Sequence, residues 1–125
     1  MDRQIKFRGI RVDDGRWVYG NLLQELGSTF ISANRNEHFE ILPDTSAQYT
    51  GLKDKNGKQI YEGDVFKPFT AGPNFYKVVF ENGSFAIYNK YGYYSLLSKF
   101  IEVAERLKVD LKVVGNIYEN PELIK

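Results

Sequence analysis

The chain has 125 residues, the length of one ordinary domain and enough to bury a core by apolar packing alone. It contains no cysteine, which excludes disulfides and cysteine-ligated metals. Its 17 basic and 16 acidic residues give a formal charge of +1, far short of the basic excess that a dedicated nucleic-acid binder carries.

Nine Tyr and nine Phe, with many Val and Ile, bias the chain toward strands. Four dipeptides punctuate the apolar runs: Asp14-Gly15, Asn56-Gly57, Asn82-Gly83 and Tyr91-Gly92. Ile5 to Val12 and Trp17 to Leu23 flank Asp14-Gly15 and read as a first hairpin, with Gly9 at a change of phase that suggests a bulge. Thr29 to Ser32 and Phe39 to Leu42 read as shorter strands joined by a turn over Asn34-Arg35-Asn36-Glu37. Asn56-Gly57 suits a tight turn, and Glu62-Gly63-Asp64 a second one, with Gly63 free to take positive φ. Asp64 is placed to accept hydrogen bonds from nearby backbone N–H groups.

Asn82-Gly83 gives the sharpest local expectation, a two-residue type I′ hairpin. That turn sets Glu81 opposite Ser84, Phe80 opposite Phe85 and Val78 opposite Ile87. The face carrying Tyr76, Val78, Phe80, Phe85 and Ile87 is expected to meet the core. One helix is predicted from about Ser95 to Lys108, with Ser95 as N-cap. Its apolar stripe is Leu96, Leu97, Phe100, Ala104 and Leu107. Val109 to Tyr118 reads as the closing strand, and Asn120-Pro121-Glu122 as the start of a short terminal helix. Short strands stitched by such turns predict a mainly β fold, a single domain over residues 1–125.

Three blocks carry a family resemblance. Ile5-Lys6-Phe7-Arg8-Gly9 with Trp17-Val18-Tyr19-Gly20 is similar to an "IKFRAWD…WVYG" opening, although Gly9-Ile10-Arg11 stands where an Ala-Trp-Asp-like string is common. Gln48 to Val65, QYTGLKDKNGKQIYEGDV, resembles the string "YTGLKDKNGKEIYEGD". Val114 to Leu123 resembles a closing "IGNIYENPEL". In this order they resemble the YopX family of phage and prophage proteins. The resemblance implies a phage or prophage origin and a core like a small SH3-like β-barrel. It implies no activity, cofactor or catalytic residue.

The residues themselves offer several candidate sites, each with a plainer reading beside it. His38, the single histidine, sits in Asn36-Glu37-His38-Phe39, where nothing suggests a triad, and reads as a surface or structural residue. Asp54, Glu62 and Asp64 are the best carboxylate cluster for a hydrolase, but turn structure explains them more simply. Lys58 stands at a required ligand position of a calcium loop, so that pattern fails. Lys53, Lys55 and Lys58 with Arg3, Lys6, Arg8, Arg11 and Arg16 could form a basic patch, with Trp17, Tyr19, Tyr49 and Tyr61 to stack on bases; solvated strand faces are the plainer reading. Tyr88, Tyr91, Tyr93 and Tyr94 crowd one region around Gly92 and form the candidate interface, with lining of the barrel mouth as the equal alternative.

The sequence therefore favours a non-enzymatic phage accessory protein acting by contact with a host or phage protein, with self-association as a further option. A nucleic-acid-binding small β-barrel is the alternative and a carboxylate hydrolase the third. No catalytic residue, metal or cofactor is assigned. No apolar stretch approaches the ~20 residues that cross a bilayer. Met1-Asp2-Arg3-Gln4 lacks the layout of a secretion signal, so the host cytoplasm is the expected location, and Asn82-Gly83-Ser84 reads as a turn rather than a glycosylation site.

Overall fold

The structure is a computed structural model that describes residues 4–67 and 74–124. It is mainly β, with two antiparallel sheets and one α-helix among the described residues. The chain divides into two compact units, the first ending at Gly51 and the second beginning at Leu52.

The first unit contains β1 (Phe7–Ile10), β2 (Trp17–Glu25), β3 (Ser28–Asn34), β4 (Glu37–Glu40), a 3-10 turn (Pro43–Thr45) and most of β5 (Ala47–Lys53). Its strands lie in the order β4-β3-β2-β1-β5. The Asp14-Gly15 hairpin forms as expected, pairing Ile10 with Trp17 and Phe7 with Gly20. Gly9 is not a bulge, because it pairs in regular register with Val18. Its lack of a side chain serves packing instead: a Cβ there would drive well inside van der Waals contact with Ile41. Ile41, Val18 and Ile31 form the buried core of this unit, with Phe7, Leu22 and Phe39 against them. β2 and β3 are longer than the sequence indicated and turn at Leu26-Gly27, both with positive φ (50° and 82°).

In the second unit the end of β5 turns at Asn56-Gly57 into β6 (Gln59–Tyr61), followed by β7 (Asp64–Phe66), β8 (Tyr76–Glu81), β9 (Ser84–Asn89), β10 (Gly92–Leu96), α1 (Leu97–Arg106) and β11 (Val113–Asn116). Pro121–Ile124 forms the short terminal helix as a 3-10 turn. Five strands make a sheet in the order β10-β9-β8-β7-β11. The Asn82-Gly83 hairpin has the predicted register throughout, with φ of 50° and 78° at the two turn residues. Tyr76, Val78 and Ile87 are buried from its core face, while Phe80 is half exposed at the tip and pairs with Phe85 at a ring separation of 5.0 Å.

The helix is shorter than predicted at both ends. Ser95 does not cap it, since Ser95 pairs with Ile87 within β10 and its hydroxyl donates to the Leu96 carbonyl. Leu96 takes the N-cap position in extended conformation without a side-chain cap. Leu97, Phe100 and Ala104 bury the helix against the core, while Leu96 and Leu107 lie beyond its ends and are exposed. The Phe100 ring meets Tyr76 edge-on at 5.3 Å and Phe66 at 6.2 Å. At the other end, Val109 N–H donates to Ala104 O (2.8 Å) and Lys108 N–H to Glu105 O (3.1 Å), with Lys108 at φ 57°. This is a Schellman ending with lysine where glycine usually sits.

Among the described residues no closed SH3-like barrel is found. Closure requires the outermost strands of a sheet to pair with each other. In the second sheet β10 pairs only with β9 and β11 only with β7, and in the first sheet β4 pairs only with β3.

Candidate functional site

The end of the central block and the closing block come together in the second unit, where their side chains hold backbone. Asp54, a buried carboxylate, accepts three main-chain hydrogen bonds. Its Oδ1 takes Asn56 N–H (2.9 Å) and Lys58 N–H (2.9 Å), and its Oδ2 takes Val113 N–H (3.1 Å). The Asn56-Gly57 turn is thereby fixed and tied to β11. Asp64 is 1% exposed, and its Oδ2 accepts Tyr61 N–H at 2.8 Å, as the sequence anticipated. Gly63 takes φ 90°, with Tyr118 3.1 Å from where a Cβ would stand. Its N–H donates to Val78 O and its carbonyl accepts Ile117 N–H, both at 2.9 Å.

The closing block is a second small network. Asn116 Oδ1 accepts Tyr118 N–H (3.0 Å) and Glu119 N–H (2.9 Å), and its amide donates to Glu119 Oε1 (2.8 Å). Asn116 N–H in turn donates to Asn120 Oδ1 (3.2 Å). Asn116 pairs with Asp64 across β11 and β7, so the closing block and the central block face each other directly. The sequence indicated the turns but not this meeting; the spacing Asn116…Asn120 was the signal available for it.

These contacts bear on the hydrolase candidates. Asp54 lines a cavity of about 440 Å3 beside α1, and neither Glu62 nor Asp64 lines it. Among the described residues no three His, Asp or Glu side chains are grouped so as to hold a metal ion. His38 is exposed on edge strand β4, beside a small hollow of about 180 Å3 shared with Asp13 and Phe39.

The basic and aromatic residues of the first unit are largely engaged with one another. The Arg8 guanidinium is buried over the Trp17 ring at 4.6 Å, and Lys6 stands over Tyr19 at 5.6 Å. Arg11 covers Phe39 at 4.0 Å and donates to both carboxylate oxygens of Asp13 (3.2 and 3.1 Å). That hydrogen bond lowers the Asp13 carboxyl below its usual range and raises Arg11. Arg16 lies 3.9 Å from Asp14. Arg3 lies outside the described residues.

The tyrosine group divides. Tyr94 is 48% exposed, yet one side of its ring packs on Tyr76 (5.0 Å) and Phe100 (5.8 Å). Tyr88 donates its hydroxyl to Glu81, and this hydrogen bond raises its pKa. Tyr93 meets Tyr88 edge-on at 5.9 Å and is 57% exposed; Tyr91, at the tip, is 78% exposed under the Lys90 amine. The sequence did not resolve β10, which carries Tyr93 and Tyr94. Its bulge between Tyr93 and Ser95 breaks the alternation by which a strand is recognised.

Comparison with known proteins places this architecture. A solved structure, the crystal structure of protein EF1440 from Enterococcus faecalis, is similar at a TM-score of 0.62 and 24% identity, covering 99% of this chain and 100% of that one; it shares the fold. No curated protein matches. The YopX protein family matches residues 6–125, which takes in the opening block from Lys6 and the whole of the other two, so the chain belongs to the YopX family.

Proposed function

We propose that this protein is a non-enzymatic binding protein that works by contacting another protein through the tyrosine-bearing β9–β10 hairpin. The observation that carries the reading is the exposure of Tyr91 and Tyr93 together at one end of the second sheet, with Tyr94 half exposed beside them. Tyrosine joins a large apolar area to a hydroxyl at little cost in side-chain entropy, which is why it anchors interfaces. Tyr88 and Phe100 brace the neighbouring rings from beneath, so Tyr93 and Tyr94 are held in place before a partner arrives. The family resemblance supports a phage or prophage accessory role exercised in the host cytoplasm. Self-association through the hairpin is one form the contact can take.

The test pairs two baits, the wild-type protein and Tyr91→Ser/Tyr93→Ser, in capture from infected host cells, with sedimentation of each alone. The reading expects one specific protein, or a second copy of this chain, to be retained by the wild type and weakened at least tenfold in the double variant. Equal retention by both baits overturns it. So does tight, salt-sensitive binding of oligonucleotides in fluorescence anisotropy that the double variant leaves intact.

A further inference from the structure

A cavity of about 440 Å3 lies within the second unit, between the Lys53–Lys55 stretch and the end of α1. It falls inside the size range of small-molecule sites and has room for roughly fifteen waters at ~30 Å3 each. Its apolar wall is Ile101 and Ala104 from α1 with Val109 and Leu111 from the segment that follows. Three lysines line it, Lys53, Lys55 and Lys108. Lys55 is shared with Asp110 by an ion pair; Lys53 and Lys108 have no ion pair among the described residues.

Two carboxylates face the same space, Asp54 and Glu105. Asp54 already accepts three backbone N–H bonds and is buried, so its charge is compensated within the fold. Glu105 is exposed on α1. Lys108 takes the left-handed backbone at φ 57° that closes the Schellman turn, which puts it at this end of the helix. An apolar wall beside two lysines without an ion pair among the described residues suits an apolar body of modest length ending in a single negative charge.

We propose that this cavity is a binding site for an amphiphilic carboxylate, the chain lying on Ile101 and Val109 and the carboxylate between Lys53 and Lys108. The site is separate from the tyrosine hairpin and does not depend on it.

Titration of the full-length protein with sodium octanoate, hexanoate, octanamide and acetate, read by backbone amide shifts, tests the site. Octanoate is expected to bind with millimolar affinity and to shift the amides of Lys55, Ala104 and Val109. Hexanoate, two methylenes shorter, should bind about tenfold more weakly. Octanamide, which keeps the chain without the charge, should bind at least fivefold more weakly, and acetate should shift nothing. Lys53→Gln/Lys108→Gly should weaken octanoate at least fivefold, and Glu105→Gln should tighten it. Glycine suits the backbone at position 108, so the double variant keeps its fold, which its melting curve checks. Equal binding of octanoate and octanamide, unchanged binding in the double variant, or shifts confined to residues away from the cavity each overturn the proposal.

Discussion

Asp54 offers the most discriminating test of how the central sequence block works. Its two oxygens do different jobs: Oδ1 takes the Asn56 and Lys58 amides, and Oδ2 takes the Val113 amide. Replacement by Ala removes all three acceptors at once. A hydrogen bond to a charged group contributes about 1.5–3 kcal/mol, but the Asn56 and Lys58 amides lie on an exposed turn and can be rehydrated. The Val113 amide sits within β11 and has less access to water. The expected loss for Asp54→Ala is therefore about 3 kcal/mol, below the simple sum. Asn at the same place keeps a carbonyl oxygen for Asn56 and Lys58 but turns an NH2 toward Val113 N–H, donor against donor. Asp54→Asn should cost about 1–2 kcal/mol and slacken only the tie to β11. Urea unfolding followed by far-ultraviolet circular dichroism gives the totals. Amide exchange separates the sites: Asn56 and Lys58 stay protected in the Asn variant while Val113 does not. Trp17 fluorescence reports the first unit and is unsuitable as the sole probe. Loss of less than 1 kcal/mol in the Ala variant, or equal losses in both, would refute the division of labour.

Three further outcomes follow from backbone and charge. Leu26 is 99% exposed at φ 50°, so Leu26→Asn should raise stability by about 1 kcal/mol, seen as a higher urea midpoint at unchanged slope. Gly63→Ala puts a Cβ at positive φ and 3.1 Å from Tyr118, and should cost about 2 kcal/mol in the same assay. The hydrogen bond from Lys55 holds the Asp110 carboxyl below its ordinary value of 3.8. A carboxylate with a depressed folded-state pKa contributes its stabilisation above the unfolded value and loses it as pH falls through the folded one. In Lys55→Met the Asp110 carbon resonance should titrate at higher pH than in the wild type, Lys112 still holding it down, and the acid limb of stability should flatten correspondingly; an unmoved titration contradicts the pairing.

Sequence reading reached farthest where a single turn dictates geometry. Asn82-Gly83 forces a two-residue turn, and register follows by counting, so every pair from Val78–Ile87 to Glu81–Ser84 was available in advance. Ser95 shows the opposite case. A serine before an apolar stripe has the form of a helix cap, but β10 runs straight into α1 with no loop between them, and the strand holds Ser95 by its pairing to Ile87. Gly9 was misread because a glycine in a strand has two explanations, a bulge or a close approach, and the choice lies with Ile41, thirty-two places along the chain. Leu26-Gly27 escaped notice because leucine at positive φ runs against its steric preference, and only the pairing of β2 with β3 supports it. The cavity was invisible for a related reason, since Lys53 and Lys108 share a surface only after α1 has packed.

The family strings themselves explain why membership is legible and mechanism is not. Asp54, Gly63, Asp64, Asn116 and Asn120 are the residues that make the central and closing blocks recognisable, and each is occupied with main-chain atoms or with a close approach. A side chain that accepts two or three backbone N–H groups has little left to offer a substrate. The proposed contacts fall mostly between the blocks, on the β9–β10 hairpin and just past α1, where Tyr91 and Tyr93 are exposed and Lys108 is without an ion pair among the described residues; Lys53, inside the central block, is the exception. Substitutions in the blocks, Lys53 apart, should therefore be read first through stability, and substitutions between them first through binding. Tyr91→Ser/Tyr93→Ser supplies the check: both rings are solvent-facing, so the melting temperature should stay within about 2 °C of the wild type while partner retention falls. A large fall in melting temperature would show that the hairpin belongs to the scaffold, and the separation of scaffold from contact surface would fail with it.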